Sequence, residues 1–320
     1  MERKNVPIYL FIIMLVLLFI SKLPGTQTFS TEQKNTGNAQ AVPAAAEKNQ
    51  DNSTTTVQAP AVSLNDKNVS PDIQKILSRG KLIVGLYCND QPPFFMLNPQ
   101  GKLYGMDIAL AKDIAAKLGV ALEFNRSART FNELTEMVAR GDVDTAISVL
   151  SRTLDRAKLI SFTKPYVVLH QALLVNRVEA AKKGIEDYPM DYLKKEDVKI
   201  GVKAKTSYVE FARELFPKAH ILEYKEWEDV VAALLKGEVI AAVNDENEIT
   251  QLINKRPNIS LYACVYILKD KKDYICMGVS QQNTHLLDWL NTYLDNYDIN
   301  MNVKSIMEEY PEIYKQNPAK

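Results

Sequence analysis

Two stretches of this chain can be laid over one another, and that correspondence constrains the fold more than any other feature. MVARGDVDTAIS at 137–148 and ALLKGEVIAAVN at 233–244 share one order of parts. Each has the end of an apolar-periodic helix, a basic residue, a glycine, an acid, a valine and then a short apolar strand. Glycine past the last periodic residue is a helix stop, because it enters the left-handed conformation without a Cβ clash. A helix feeding a short apolar strand is the repeating unit of a mostly parallel sheet covered by helices. Its appearance twice predicts two α/β lobes built alike. In this register Val149 and Asp245 take matching places just past the two strands.

The remaining chain follows the same grammar. Ser70 and Pro71 open a helix that Gly80 closes, and 81–87 reads as a strand. A bend at Gln100 and Gly101 leads to a helix from Asp107, with Ile108, Ala111, Ile114, Ala115 and Leu118 on one face. A strand at 120–124, a helix at 131–140 and a strand at 145–149 complete the first half. The second half gives strands at 199–202, 219–224 and 239–243, and helices at 206–215, 226–236 and 246–254. A β pair, 259–268 and 274–279, is expected around the charged turn 269–273, with helices at 284–296 and 303–310 behind it. Two long β-like runs, 167–176 and 259–279, are the expected crossings between lobes.

Lys and Arg number 39 against 39 Asp and Glu, so no basic excess points to nucleic acid. Three cysteines are too few for a disulfide scaffold, and with three His the sequence implies neither a metal nor another cofactor. Cys264 and Cys276 flank the charged turn, where a disulfide across a hairpin and two free core thiols are both open. At the N-terminus, a net basic 1–4 and the apolar run 8–20 have signal-peptide proportions. No A-x-A-like site follows closely and no cysteine stands ready for lipid, which favours an uncleaved membrane anchor over residues 8–23. Residues 26–69 are rich in Gln, Asn, Ser, Thr and Ala without periodicity, a composition that cannot bury enough apolar surface to order itself. They read as a tether, with ends on the order of 35–40 Å apart. The expected organisation is therefore an anchor or signal at 1–25, a tether at 26–69, lobe one at 70–167 plus 273–320, and lobe two at 168–272.

The chemistry concentrates just past the first strand of the duplicated unit. Ser151, Arg152, Thr153 and Arg156 gather hydroxyls and guanidiniums there, and the carboxyl end of an open α/β sheet is where ligands sit. A guanidinium fork suits a carboxylate, since it can donate two parallel hydrogen bonds. The competing reading is a surface arginine on a helix capped by Thr153. Asp245 likewise reads either as a ligand group or as the N-cap before Glu246, Asn247 and Glu248. Thr206 and Ser207 stand at a helix N-terminus, a position that favours anions.

Over residues 74–310 the chain resembles the family 3 extracellular solute-binding proteins, the polar amino acid receptors of ABC importers. The resemblance is carried by 81–85 (KLIVG), 105–111 (GMDIALA), 141–144 (GDVD), 153–156 (TLDR), 162–166 (FTKPY), 201–206 (GVKAKT), 237–245 (GEVIAAVND) and 287–291 (LDWLN). It implies a type II periplasmic-binding-protein fold, two α/β lobes joined by a two-strand hinge and closing on a small ligand. It further implies that Arg156 pairs with the ligand α-carboxylate and that Ser151, Thr206 and Ser207 add donors. Asp245 would take the α-ammonium, with the Val149 carbonyl sharing that load. The partners implied are an amino acid, an ABC permease and, through the N-terminal segment, the membrane, in a periplasmic or extracytoplasmic location.

Two departures stand out. Lys205 replaces the family's usual glycine, and Gln91 sits where many members place an aromatic wall; Phe94 or Phe95 is the candidate substitute, with core packing the alternative for either. The same fold also carries cyclohexadienyl dehydratases, whose elimination needs a general acid over the leaving hydroxyl. Beyond Asp90 and Asp245 the sequence shows no surplus pocket acid, so a binding module is favoured over an enzyme. A sensing head acting through a partner protein is the third reading.

Overall fold

The computed structural model describes residues 68–185, 189–195, 197–297 and 301–311. The anchor and nearly all of the tether expected above lie outside these residues, as does most of the C-terminal tail. No helix among the described residues is long and apolar enough to cross a membrane.

Eleven strands are described: β1 (Lys81–Tyr87), β2 (Met96–Leu97), β3 (Leu103–Tyr104), β4 (Ala121–Ala128), β5 (Thr145–Ala146), β6 (Ile160–Asn176), β7 (Lys199–Lys203), β8 (His220–Tyr224), β9 (Ala241–Asp245), β10 (Ala263–Ser280) and β11 (Met301–Asn302). The main sheet runs β4-β1-β5-β10-β6-β9-β7-β8, with β11 beside β6, while β2 and β3 form a separate hairpin. At each end stands a parallel trio, β4-β1-β5 on one side and β8-β7-β9 on the other. Between them lies an antiparallel ribbon of β6 and β10.

The duplication read from sequence reappears in the register. Thr145 and Ala146 pair with Val84 and Gly85, and Ala241 and Ala242 pair with Ile200 and Gly201. Val149 and Asp245 therefore each lie four residues past equivalent pairing positions. Gly141 and Gly237 close the preceding helices, Phe131–Arg140 and Trp227–Lys236, with φ of 77° and 76°. Gly85 and Gly201 have no room for a side chain. A Cβ there would stand 2.7 Å from Leu134 Cδ1 and 2.9 Å from Val230 Cγ1, on those same two helices.

The apolar cores fall into two groups. One joins β1, β5 and the ends of β6 and β10 through Leu82, Val84, Val167 and Met277 on one face and Leu134, Val143 and Leu150 on the other. The other covers both faces of β7 and β9, with Val202, Phe216 and Val243 on one face and Val230, Leu234 and Ala242 on the other. On β6, Leu169 belongs to the first group and Ala172 to the second. The hydrogen-bonded path is continuous because two long strands pass through both lobes, while the packing is divided.

Two expectations are corrected. No hairpin forms over 259–279. Residues Pro257–Leu261 make a 3-10 turn and β10 then runs unbroken, pairing Cys264 with Val175 and Cys276 with Pro165 along β6. The charged stretch is a bulge, with the register slipping between Leu268 and Lys272 opposite Gln171 and His170. Lys269, Asp270 and Lys271 are exposed there, so charge that reads as a turn sits where the ribbon crosses between lobes. Cys264 and Cys276 lie far apart along one strand, and both are free thiols. The second correction concerns 145–149, where the ladder stops at Ala146 and Val149 takes a φ of +44° that no strand accommodates.

Candidate functional site

A cavity lies between the two parallel trios, with about 740 Å³ of empty space, its open mouth included. All seven residues expected at the site line it: Phe94, Val149, Ser151 and Arg156 from one lobe, and Thr206, Ser207 and Asp245 from the other. Phe94 is buried as well, so it packs in the core and touches the cavity at once.

The first-lobe wall is held from behind. Val149 is β-branched and its left-handed φ is strained. Its N–H donates to Asp107 Oδ2 at 2.7 Å, and the other Asp107 oxygen accepts from Tyr166 Oη at 3.0 Å. Burial pushes the Asp107 carboxyl up to about 7. The next turn is stitched to β10 by an Arg152 N–H to the Tyr274 carbonyl and a Cys276 N–H to the Leu150 carbonyl, 2.9 and 3.0 Å. Thr153 caps the short helix Leu154–Ala157.

That cap is where the surface reading of Arg156 ends, since its side chain is turned inward and only 6% of the residue is exposed. Nη1 donates to the Ser151 carbonyl at 2.9 Å and the guanidinium lies 5.7 Å from the Phe131 ring centroid. Among the described residues no carboxylate forms an ion pair with it. Burial lowers its pKa to about 10, against the raising effect of Asp273, so it stays charged at neutral pH. A guanidinium has five N–H donors, and one carbonyl is a small share of that capacity. Arg156 is also part of the cavity lining.

On the opposite side, Asp245 is both a cap and a wall. Its Oδ1 accepts from the Glu248 N–H at 2.7 Å and its Oδ2 from Tyr208 Oη at 2.8 Å. Tyr208 Oη also lies 2.9 Å from Asp273 Oδ2, which accepts from Ser151 Oγ at 3.0 Å, and Ser207 Oγ donates to Ser151 Oγ at 2.9 Å. A phenol carries one hydrogen. Both of its carboxyl contacts are hydrogen bonds only if one carboxyl is protonated. Asp273 is the better holder: it is fully buried, its Oδ1 has no partner among the described residues, and burial together with Asp245 pushes it up to about 7. The chain Ser207–Ser151–Asp273–Tyr208–Asp245 then ties the two lobes across the cavity. A further bridge runs from Gln251 Nε2 to the Pro92 carbonyl at 2.7 Å. Lys205 enters the left-handed region, φ +60°, which is the conformation the usual glycine would supply.

Sequence reading missed several residues of this site. Tyr208, Lys203, Trp227 and Glu248 line the cavity, and Asp273 lies directly behind it. The expectation of no surplus pocket acid is therefore corrected by Glu248. Asp90, by contrast, is not in the lining and is engaged by Arg126 at 2.9 Å and by the Leu97 N–H at 3.1 Å. Among the described residues no group of His, Cys, Asp and Glu is arranged to hold a metal.

Two α/β lobes on a shared pair of strands, facing each other across a cavity with an unpaired guanidinium on one wall and a carboxylate on the other, define a cleft receptor for a small solute. The chain belongs to the bacterial extracellular solute-binding proteins, family 3, whose family model matches residues 82–312. It is 29% identical over 210 residues to a glutamine-binding protein of Geobacillus stearothermophilus, spanning 65% of this chain and 77% of that one. It is also 29% identical over 195 residues to the ABC transporter glutamine-binding protein GlnH of Bacillus subtilis (strain 168), spanning 56% and 67%. Among solved structures, the ancestral amino acid-binding protein AncCDT-1, a precursor of cyclohexadienyl dehydratase, superposes with a TM-score of 0.59 at 26% identity. That match covers 76% of this chain and 99% of the other. The fold is that of the type II periplasmic binding proteins, and the family places the chain's work outside the cytoplasm.

Proposed function

We propose that this protein captures a free α-amino acid between its lobes and hands it to the permease of an ABC importer. The observation that carries this reading is Arg156, a buried guanidinium with one carbonyl acceptor, facing a cavity whose far wall holds Asp245. A ligand with a carboxylate at one end and an ammonium beside it answers both. Ser151, Thr206 and Ser207 surround the carboxylate end, and the Val149 carbonyl assists at the ammonium. The glutamine-binding names of two relatives and the amino acid-binding name of AncCDT-1 support the ligand class. Lobe one, 70–167 plus 273–320, turns against lobe two, 168–272, about the crossing of β6 and β10. The N-terminal segment 8–23 holds the head at the membrane through the 26–69 tether.

The test is a thermal-shift and calorimetric screen of the full-length chain, in mild detergent, against the standard amino acids. A ligand that binds only the native state raises its stability by mass action. No shift with any amino acid would count against the receptor reading. Prephenate and arogenate belong in the same screen because Glu248 supplies the pocket acid an elimination requires. We expect no turnover, and measurable turnover would move the protein to the enzymatic class. Mass spectrometry of membrane-extracted protein reads the anchor: a mature chain starting uniformly inside 21–45 removes it.

A further inference from the structure

Among the described residues, four charged ones line the cavity: Arg156 and Lys203, Asp245 and Glu248. Three have work assigned. Arg156 and Asp245 answer the carboxylate and ammonium of an amino acid, and Lys203 Nζ is held by Glu226 Oε2 at 3.2 Å. Glu248 is different. Its backbone N–H caps onto Asp245, while among the described residues its carboxyl group makes no hydrogen bond and no ion pair. It stands three residues past Asp245 on the first turn of the helix Glu246–Lys255, and side chains three apart share one helix face. A ligand whose ammonium lies on Asp245 therefore has this second carboxyl within reach of its side chain. Resting on the receptor reading above, we infer that Glu248 selects amino acids whose side chain ends in a cation, an ammonium or a guanidinium.

The charge balance decides between classes of side chain. A zwitterion brings one charge for Arg156 and one for Asp245, and leaves Glu248 unmatched. An acidic side chain would add a like charge beside it. A carboxamide could donate one hydrogen bond and still leave the charge without a counterion. Only a cation completes the set. Burial and the neighbouring Asp245 push the Glu248 carboxyl up to about 7, with Lys255 and Lys203 lowering it less. Such a shift is what a carboxyl short of a counterion shows, and a bound cation reverses it. The aromatic side chains of Trp227 and Phe131 in the same lining offer faces on which a cation can lie. One feature favours a competitor. Among the described residues the buried Trp227 indole N–H has no acceptor, and a carboxamide oxygen could fill that role. Glutamine is therefore the ligand against which the inference is measured.

The experiment is calorimetry of the full-length protein in mild detergent with arginine, lysine, glutamine and glutamate, repeated on Glu248→Gln, with apo melting as the fold control. The wild type should bind arginine or lysine at least about tenfold more tightly than glutamine, and Glu248→Gln should narrow that ratio to within about threefold. Glutamine or glutamate binding as tightly as the cationic ligands in the wild type overturns the inference and leaves the receptor reading standing. An unchanged ratio in Glu248→Gln overturns the role of this residue. Binding of no amino acid at all removes the receptor reading and this inference with it.

Discussion

Replacing Arg156 by methionine separates a ligand group from a structural one, because the two roles predict opposite effects on the protein without ligand. Burial lowers the guanidinium from its usual 12.5 to about 10, which means that holding the charge in the folded state costs roughly 3 kcal/mol. The hydrogen bond to the Ser151 carbonyl returns about 1.5–3 kcal/mol. The contact with the Phe131 ring adds about 0.5–1 kcal/mol. These terms nearly cancel, and methionine keeps most of the stem packing, so the apo protein should change by about 1 kcal/mol or less. A buried charge exchanged for a well-packed apolar group is often neutral or stabilising. Binding is another matter. Without the guanidinium, the ligand carboxylate is desolvated and unpaired, at a cost of about 2–5 kcal/mol. That is a roughly 30-fold to several-thousand-fold weaker affinity. Calorimetry with the best amino acid from the screen, together with urea unfolding of the apo variant, measures both quantities. Affinity within about threefold of wild type, or an apo loss of several kcal/mol, would refute the reasoning.

Asp245→Asn keeps a side-chain oxygen for the Glu248 N–H, so the helix cap survives and apo melting should hold within about 1 kcal/mol. Affinity should still fall by at least roughly 30-fold, since the charge facing the ammonium is gone; intact affinity would leave Asp245 as a cap alone. Asp107 and Asp273 are both pushed up to about 7 by burial, above the value each has in the unfolded chain. The stability they contribute is fully present below about pH 4 and is lost as pH rises through about 7, on the order of 2 kcal/mol for each between pH 5 and 8. Urea unfolding across that range should therefore show the apo head weakening toward pH 8, and a rise instead would place the protons elsewhere. Burial pushes the Cys276 thiol up to about 12, whereas Cys88 and Cys264 are half-buried. Native labelling should modify the latter two first, and reductant should leave the melting temperature unchanged.

How much of this was legible in the sequence depends on whether a residue's role is local. Helix ends could be read because each rests on a single residue, as Gly141 and Gly237 show with their left-handed turns. The duplication was legible because Gly141 and Gly237 each end a helix just before a short apolar strand, so the two units repeat their pattern along the chain. Six of the seven residues expected at the cavity reach it because each follows a strand end or lies at a helix start, where the fold sends side chains to the carboxyl edge; Phe94 reaches it from the loop between β1 and β2. What could not be read depends on long-range contacts. Tyr208 looks like a core residue on an amphipathic helix until β10 brings Asp273 within 2.9 Å of its hydroxyl. Glu248 looks like a first-turn acid that complements the helix dipole; nothing local shows that its carboxyl opens onto the cavity. Asp273 was hidden by the hairpin expected around it. Its neighbours Lys269–Lys271 are exposed in a bulge, yet Asp273 itself is fully buried opposite Leu169. An acid enclosed in that way needs a donor or a proton, and here it has Ser151 Oγ and the phenol it shares with Asp245. The charge in that run which resembled a turn is thus the residue that joins the crossing strand to both walls of the site.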